Sequence, residues 1–138
     1  PRFDRLLYAT DFSLESVEVL ARVLRVAQWF GASLTCVKIN TPGDFMTQHI
    51  FQQAVRELRE KLNELGVDDL AALDDVVLYC DREAPEGIVN CADERLSDLV
   101  AVATHGRRGF TRLLNGSVTE EVIQLTHRPV LVFHLPEG

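Results

Sequence analysis

The chain has 138 residues, of which 46% are hydrophobic and 25% are charged, a composition typical of a globular domain and not of collagen-like, disulfide-scaffold or disordered proteins. Its net charge is -7 at pH 7, so the backbone of a nucleic acid would meet mostly like charge. We therefore expect a single globular domain over residues 1–138 that binds no nucleic acid.

Location and redox state are predicted from what the sequence lacks. No apolar run reaches the roughly 20 residues that cross a bilayer, and the start has no apolar signal segment. These features predict a cytoplasmic protein with no membrane partner. The cysteines Cys36, Cys80 and Cys91 are widely spaced within apolar segments, which predicts reduced core thiols with neither a disulfide nor zinc.

Short apolar runs rich in β-branched residues have the length of β-strands. They lie at residues 6–9, 34–37, 76–79, 99–103 and 130–133. Polar and apolar residues alternate little within them, which is typical of parallel strands that helices cover on both faces.

Helical spacing of apolar residues fills the first two intervals between these strands. Ser13 predicts the N-cap of a first helix and Gly31 predicts its end. A second helix is predicted over residues 44–66, because apolar positions recur opposite a charged face. Its predicted apolar face consists of Met46, Ile50, Ala54, Val55, Leu58, Leu62 and Leu65. The acidic segment 68–75 is either a short helical turn or a solvated connection, and the connection is favoured.

The last two intervals also carry helix signals. A third helix is predicted to begin near Pro85, a residue suited to the first helical turn. Its residues predicted to face the sheet are Ile88, Val89, Ala92 and Leu96. A fourth is predicted over residues 117–126, where Ser117 and Glu120 have capping-box spacing and Pro129 prevents continuation. This alternation of strands and helices predicts an open sheet with right-handed crossovers.

Two polar segments follow predicted strands, at the edge where doubly wound sheets bind ligands. Residues 10–13 follow the first strand, and the longer segment 104–117 follows the fourth. The longer segment contains three glycines, three arginines and a serine at the start of the predicted helix. Glycines let backbone N–H groups approach an anion, and a helix N-terminus adds donors and partial positive charge. The sequence therefore indicates a phosphate-binding loop.

The order of these residues resembles the nucleotide loop of the universal stress protein family, in which Gly-x-x-Gly, nine residues and Gly-Ser or Gly-Thr follow one another. Here Ala103 begins the tetrapeptide ATHG, and Gly116 and Ser117 come after nine further residues. The resemblance extends from the ATDFS segment after the first strand to the closing RPVLVF. It implies a doubly wound, parallel five-stranded sheet of order 3-2-1-4-5 with helices on both faces, the adenine nucleotide alpha hydrolase-like fold.

The resemblance also implies a site for ATP, with a divalent cation such as Mg²⁺, at the switch point between strands 1 and 4. Asp11 would contact the ribose or adenine, the backbone of Val37 would hold the adenine edge, and Val102 would line the base pocket. The residues that would cradle the phosphates are Gly106, Gly116, Ser117 and Val118. The implied site further includes Ala103, His105, Arg107 and Gly109.

The candidate residues also have ordinary structural explanations. Asp11 could simply organise the turn before the first helix, and Ser117 could act only as a helix cap. Ala103 stands where the family has glycine, and its methyl group would crowd the phosphates unless the backbone there keeps a negative φ. The preferred function is a nucleotide-responsive regulator in the stress response. A slow ATP hydrolase and an interaction module that binds no nucleotide stay open as alternatives.

The last predicted strand would lie at an edge of the sheet in the order that the family implies. An exposed apolar edge strand pairs readily with another chain unless it is covered or charged. In the family this strand pairs with its symmetry mate, so the resemblance implies a homodimer. The residues of that contact would be Val130, Leu131, Val132 and Phe133.

Overall fold

The computed structural model describes residues 2–104 and 116–135. Within these residues, strands and helices alternate along the chain. The strands are β1 (Arg5–Ala9), β2 (Ser33–Asn40), β3 (Leu73–Cys80), β4 (Leu99–Thr104) and β5 (Val130–His134). The helices are α1 (Leu14–Phe30), α2 (Gln48–Glu64), α3 (Ala84–Glu94) and α4 (Gly116–Leu125). None of these helices is long and apolar enough to cross a membrane.

The strands form one parallel sheet in the order β3-β2-β1-β4-β5. Strand β1 lies between β2 and β4, with Leu6 paired to Leu34 on one side and to Leu99 on the other. The chain builds outward from β1 to β3 and then returns to the other side of β1. This confirms the predicted order 3-2-1-4-5, and it places the carboxyl ends of β1 and β4 side by side at the switch point.

Alternate residues of the strands face two separate cores. Leu6 and Tyr8 of β1 point into the core that includes residues of α1 and α2, whereas Leu7 and Ala9 point into the core that includes residues of α3 and α4. Both faces of β1 are therefore covered, and residues 6–9 are all nearly inaccessible to solvent. This arrangement explains why the strand sequences show little alternation.

The predicted ends of α1 are confirmed. Ser13 is its N-cap, and the Ser13 hydroxyl accepts the backbone N–H of Ser16 at 3.2 Å. Gly31 ends the helix with a φ of 67°, in the left-handed region that glycine adopts most easily. Both determinants are local in the sequence, which is why the pattern predicted them.

Helix α2 begins later than the predicted residue 44. Thr47 is the N-cap, and its hydroxyl accepts the N–H of Ile50 at 3.1 Å. The Asp44 carboxylate instead accepts the N–H and the hydroxyl of Thr41, at 2.8 and 2.9 Å. Residues 41–44 therefore form a turn that ends before the helix, and Met46 lies outside α2.

The predicted apolar face of α2 is only partly correct. Leu58 and Leu62 are buried, but Ile50 is 48% exposed and Leu65 is also exposed. Phe51 is buried in their place, and its ring lies 6.0 Å from the ring of Phe12. Because adjacent helical residues point about 100° apart, burying Phe51 turns Ile50 outward.

Four further predictions are wrong in detail. Strand β3 begins at Leu73, so the acidic segment 68–75 is partly a strand and not wholly a connection. Leu96 follows α3 with a φ of 55° and is 69% exposed, so it does not face the sheet. Cys80 is exposed, whereas Cys36 and Cys91 are buried as predicted. Helix α4 begins at Gly116, one residue before the predicted start at Ser117.

Candidate functional site

Buried hydroxyl groups hold the turn that follows β1. The Tyr8 hydroxyl donates to the Ser16 carbonyl at 2.8 Å, and Ser16 Oγ lies 2.6 Å from Thr10 Oγ1. Thr10 Oγ1 also accepts the N–H of Phe12, a residue with the uncommon φ of 65°. Burial raises the pKa of Tyr8, which keeps its hydroxyl a neutral donor. These bonds fix the backbone on both sides of Asp11.

The carboxylate of Asp11 is only half satisfied. Its Oδ1 accepts the N–H of Ser13 at 2.9 Å, the turn-forming bond that an aspartate is expected to make. Its Oδ2 is buried and has no hydrogen-bond partner among the described residues. A buried acceptor left without a partner costs about 1–3 kcal/mol. The turn therefore explains one oxygen and leaves the other without a partner in the described part of the chain.

Two of the predicted base-binding residues flank this turn from within the sheet. Val37 is fully buried, pairs with Ala9, and accepts the N–H of Thr10 on its carbonyl at 2.8 Å. Val102 on β4 is 2% exposed and lies in the core that includes residues of α3 and α4. Both side chains are occupied in packing. Because a carbonyl oxygen has two lone pairs, Val37 retains one acceptor position for a ligand.

The backbone φ angle at Ala103 shows whether alanine fits at this position. Among the described non-glycine residues, a positive φ occurs at Phe12 and Leu96 only, so Ala103 has a negative φ. Its methyl group is buried in the core that includes residues of α1 and α2, on the face opposite Val102. Ala103 therefore has the negative φ that alanine requires at this glycine position.

The predicted phosphate loop is described in part. His105, Gly106, Arg107 and Gly109 lie outside the described residues. Gly116 is the first residue of α4, Ser117 is exposed, and Val118 packs against the core that includes residues of α3 and α4. The first N–H groups of a helix have no partner within it, so this end of α4 offers donors to an anion.

A cavity of about 250 Å³ opens beside the first turn of α4. Its lining residues are Thr41, Arg82, Glu83, Ala84, Pro85, Val118 and Glu121. Of the predicted site residues this lining contains only Val118, so the cavity does not enclose the Asp11 turn. The sequence prediction missed Thr41 and residues 82–85. The available signal was that they directly follow β2 and β3, whose carboxyl ends meet at this edge.

No group of three His, Cys, Asp or Glu side chains in the described part of the chain is arranged to hold a metal ion. Glu120 and Glu121 on α4 are exposed, and Glu121 lines the cavity beside Arg82. These residues alone therefore make no metal centre. The described features that suit a nucleotide are the Asp11 oxygen, the Val37 carbonyl and the start of α4.

Sheet order and polar turns define an open, doubly wound α/β protein with a candidate ligand crevice at its switch point. Residues 2–134 match the universal stress protein family, and the chain belongs to that family. It is 40% identical to the universal stress protein MJ0577 of Methanocaldococcus jannaschii, in an alignment that covers 94% of each chain.

Solved structures support the same fold. A universal stress protein in complex with cAMP superimposes with a TM-score of 0.73 at 23% identity, covering 99% of this chain and all of that one. A universal stress protein from Archaeoglobus fulgidus in complex with dAMP gives a TM-score of 0.60 at 18% identity, covering 96% and 98% of the two chains. At these identities the likeness shows the fold.

Proposed function

We propose that the protein binds an adenine nucleotide at the carboxyl ends of β1 and β4 and acts as a cytoplasmic regulatory module in the stress response. The observation that carries the proposal is the buried, unpartnered Oδ2 of Asp11. A ribose hydroxyl or an adenine amino group is a donor that would satisfy it. The two related structures named above hold adenine nucleotides, which favours this ligand class.

ATP is the nucleotide that the loop sequence favours. Its base would contact the Val37 carbonyl, and its phosphates would lie at the start of α4, where helix N–H groups and partial positive charge are available. Glu120 and Glu121 would repel a triphosphate at this end. A divalent cation such as Mg²⁺ would offset that repulsion, held by the phosphates and not by a cluster of described carboxylates.

The direct test is calorimetric titration with ATP, ADP, AMP and cAMP, with and without Mg²⁺. Nucleotide at 100 times its dissociation constant should also stabilise the fold by roughly 2.7 kcal/mol, seen as a raised melting temperature. Flat heats with every adenine nucleotide, together with an unchanged melting temperature, would contradict the proposal and favour an interaction module. Sustained release of phosphate above that of an Asp11→Asn control would instead indicate a slow hydrolase.

A substitution at the start of α4 tests where the phosphates lie. Gly116→Asp introduces a carboxylate into the first turn, where negative charge suits the helix but repels phosphate. We expect ATP affinity to fall while the fold is retained. Gly43→Asp is the matched control, because a Cβ at Gly43 meets nothing within 4 Å. Equal affinity in the two variants would place the phosphates elsewhere.

A homodimer through β5 is the second part of the proposal. Among the described strands β5 pairs only with β4, and Val130, Leu131 and Val132 on it are half-buried. Phe133 is 9% exposed and lies under the guanidinium of Arg22, at 4.9 Å from its ring centroid. Phe133 would therefore contribute backbone contacts to a partner strand more than side-chain contacts.

Light scattering at micromolar concentration tests the dimer. The wild-type protein should have the mass of two chains, and Leu131→Lys should have the mass of one, because it puts charge on the pairing edge. Ile50→Lys is the control, since Ile50 is 48% exposed on α2, away from this edge. A monomeric wild-type protein would refute the proposal.

A further inference from the structure

A second polar cavity lies at the amino edge of the sheet, beside the C-terminal end of α3. Its volume is about 350 Å³, and apart from one leucine its lining is polar. The polar lining residues are Arg5, Ser33, Thr35, Asp74, Arg95 and Ser97. Strand residues rise about 3.3 Å each, so the five residues of β1 separate this cavity from the Asp11 turn by roughly 13 Å.

The two arginines that line this cavity retain guanidinium N–H groups with which they could bind a ligand. Arg5 forms no ion pair within the described part of the chain, and Arg95 uses its Nη2 to bind Asp75 at 3.1 Å. A third arginine lies near the end of α3 and is already paired, because the Arg128 guanidinium bonds the Ser97 carbonyl and the Asp93 carboxylate.

Two residues in the lining add hydroxyl groups. Thr35 is 8% exposed and Ser97 is 5% exposed, so both side chains lie largely inside the protein where they line the cavity. Their position in the lining gives the cavity donors and acceptors in addition to its two guanidinium groups.

We propose that this amino-edge cavity binds a small oxyanion that also carries hydroxyl groups, such as a sugar phosphate or a hydroxy acid. Guanidinium N–H groups of Arg5 and Arg95 would bind the anionic oxygens, which they match in geometry. Asp74 repels a bare anion but accepts hydrogen bonds from hydroxyl groups, so it selects a ligand that has both. The chain has a net charge of -7, so anion binding here depends on this local arrangement.

Amide chemical shifts measured by NMR during titration test the proposal. The probes are glycerol 3-phosphate and glycerate, with inorganic phosphate and glycerol as the bare anion and the bare polyol. We expect saturable shifts at Ser33, Thr35 and Ser97 with the first two probes, and weaker binding of the last two. A comparison of the affinities for glycerol 3-phosphate and glycerate shows whether phosphate or carboxylate is preferred.

Variants and competition complete the test. Arg5→Ala should weaken binding roughly ten- to hundredfold, the scale of hydrogen bonds to a charged group, and Thr35→Val should weaken it less. Arg25→Ala is the control, because Arg25 is exposed on α1, on the other face of the sheet. Saturating ATP should leave the amino-edge shifts unchanged.

Three results would overturn the proposal. Shifts confined to the carboxyl edge and abolished by ATP would assign the anion to the nucleotide site. Equal affinity in wild-type protein and Arg5→Ala would show that Arg5 does not bind the ligand. Glycerol binding as tightly as glycerol 3-phosphate would exclude an anion. A protein that binds no nucleotide but shows the amino-edge shifts would refute only the nucleotide proposal, so the two proposals fail separately.

Discussion

Two aspartates at opposite edges of the sheet show how the edges differ. Asp98, at the amino edge, accepts the N–H of Asp4 at 2.8 Å and the N–H of Arg5 at 3.0 Å, one on each oxygen. Asp11, at the carboxyl edge, accepts only the N–H of Ser13, and its second oxygen is buried without a partner. Asp98 is therefore fully used by the fold, whereas Asp11 is used only in part.

This difference separates a structural carboxylate from a candidate binding one. Both carboxylates accept backbone N–H groups near a strand end, Asp11 from its own turn and Asp98 from residues 4 and 5 at the other end of the sequence. What distinguishes them is whether the folded chain supplies a donor to the last oxygen. Because a buried unmet acceptor destabilises the folded state, Asp11 carries a cost that Asp98 does not.

The largest expected effect concerns the packing that holds the carboxyl edge together. A Cβ on Gly87 would lie 2.7 Å from Ile39 Cγ2, so Gly87→Ala forces α3 away from β2. We expect the free energy of unfolding to fall by about 1–3 kcal/mol, as in other overpacked cores. Urea denaturation of the wild-type protein and Gly87→Ala measures this fall in the free energy of unfolding. Gly43→Ala is the control, because open space surrounds that position. A loss no greater than the control's would mean that α3 shifts freely.

The next effect tests Asp11 directly. Asp11→Asn keeps an acceptor for the Ser13 N–H but replaces the unpartnered oxygen by an amide donor. ATP affinity should fall by about 10- to 100-fold, equivalent to about 1.4–2.7 kcal/mol. The free energy of unfolding should not decrease, because the fold makes no use of the replaced oxygen. Calorimetry and urea denaturation measure the two quantities. Unchanged affinity would return Asp11 to a purely structural role.

The same substitution at the amino edge should give the opposite pattern. Asp98→Asn places an amide donor against the N–H of Asp4 or of Arg5, so one backbone group loses its acceptor. We expect a loss of about 1–2 kcal/mol in unfolding free energy. ATP affinity should stay within about twofold, since the proposed nucleotide site lies at the other end of β1. A loss of ATP affinity equal to that of Asp11→Asn would show that the two aspartates do not differ in their effect on ATP binding.

Elements with local determinants could be predicted from the sequence. The cap at Ser13 and the left-handed Gly31 each depend on neighbouring residues, and both were found as predicted. The buried face of α2 depends on Phe12, which reaches Phe51 only through a turn with positive φ. The early start of β3 depends on the pairing of Leu73 with Leu34 and of Asp75 with Thr35. Such contacts between distant segments leave no periodic signal.

The candidate site also has features that could be predicted from the sequence and features that could not. The position of Asp11 after β1 could be predicted, because a strand followed by a polar turn is visible in the sequence. Its unpartnered oxygen could not, because that depends on which donors the folded chain brings near. Thr41 and Arg82 line the adjoining cavity from two separate turns, and only the sheet order brings both turns to α4. The roles of His105, Gly106, Arg107 and Gly109 stay predictions.

The smallest expected effect lies in the core between the two edges. Burial raises the pKa of the Cys91 thiol from 9.0 to about 11, so the folded state favours the neutral thiol. The stability that follows from this shift is complete below pH 9.0 and is lost as the pH rises toward about 11. Burial also raises the pKa values of Tyr8 and Cys36, which adds to the alkaline loss in the wild-type protein.

Urea denaturation of wild-type protein and Cys91→Ala, at about pH 8 and about pH 10.5, isolates the contribution of this thiol. The variant should be less stable than the wild-type protein at the lower pH, because a buried side chain is shortened, and should lose less stability between the two. Cys80→Ala is the control, since Cys80 is exposed. Equal alkaline losses in all three proteins would show that the Cys91 thiol is less isolated from water than its burial indicates.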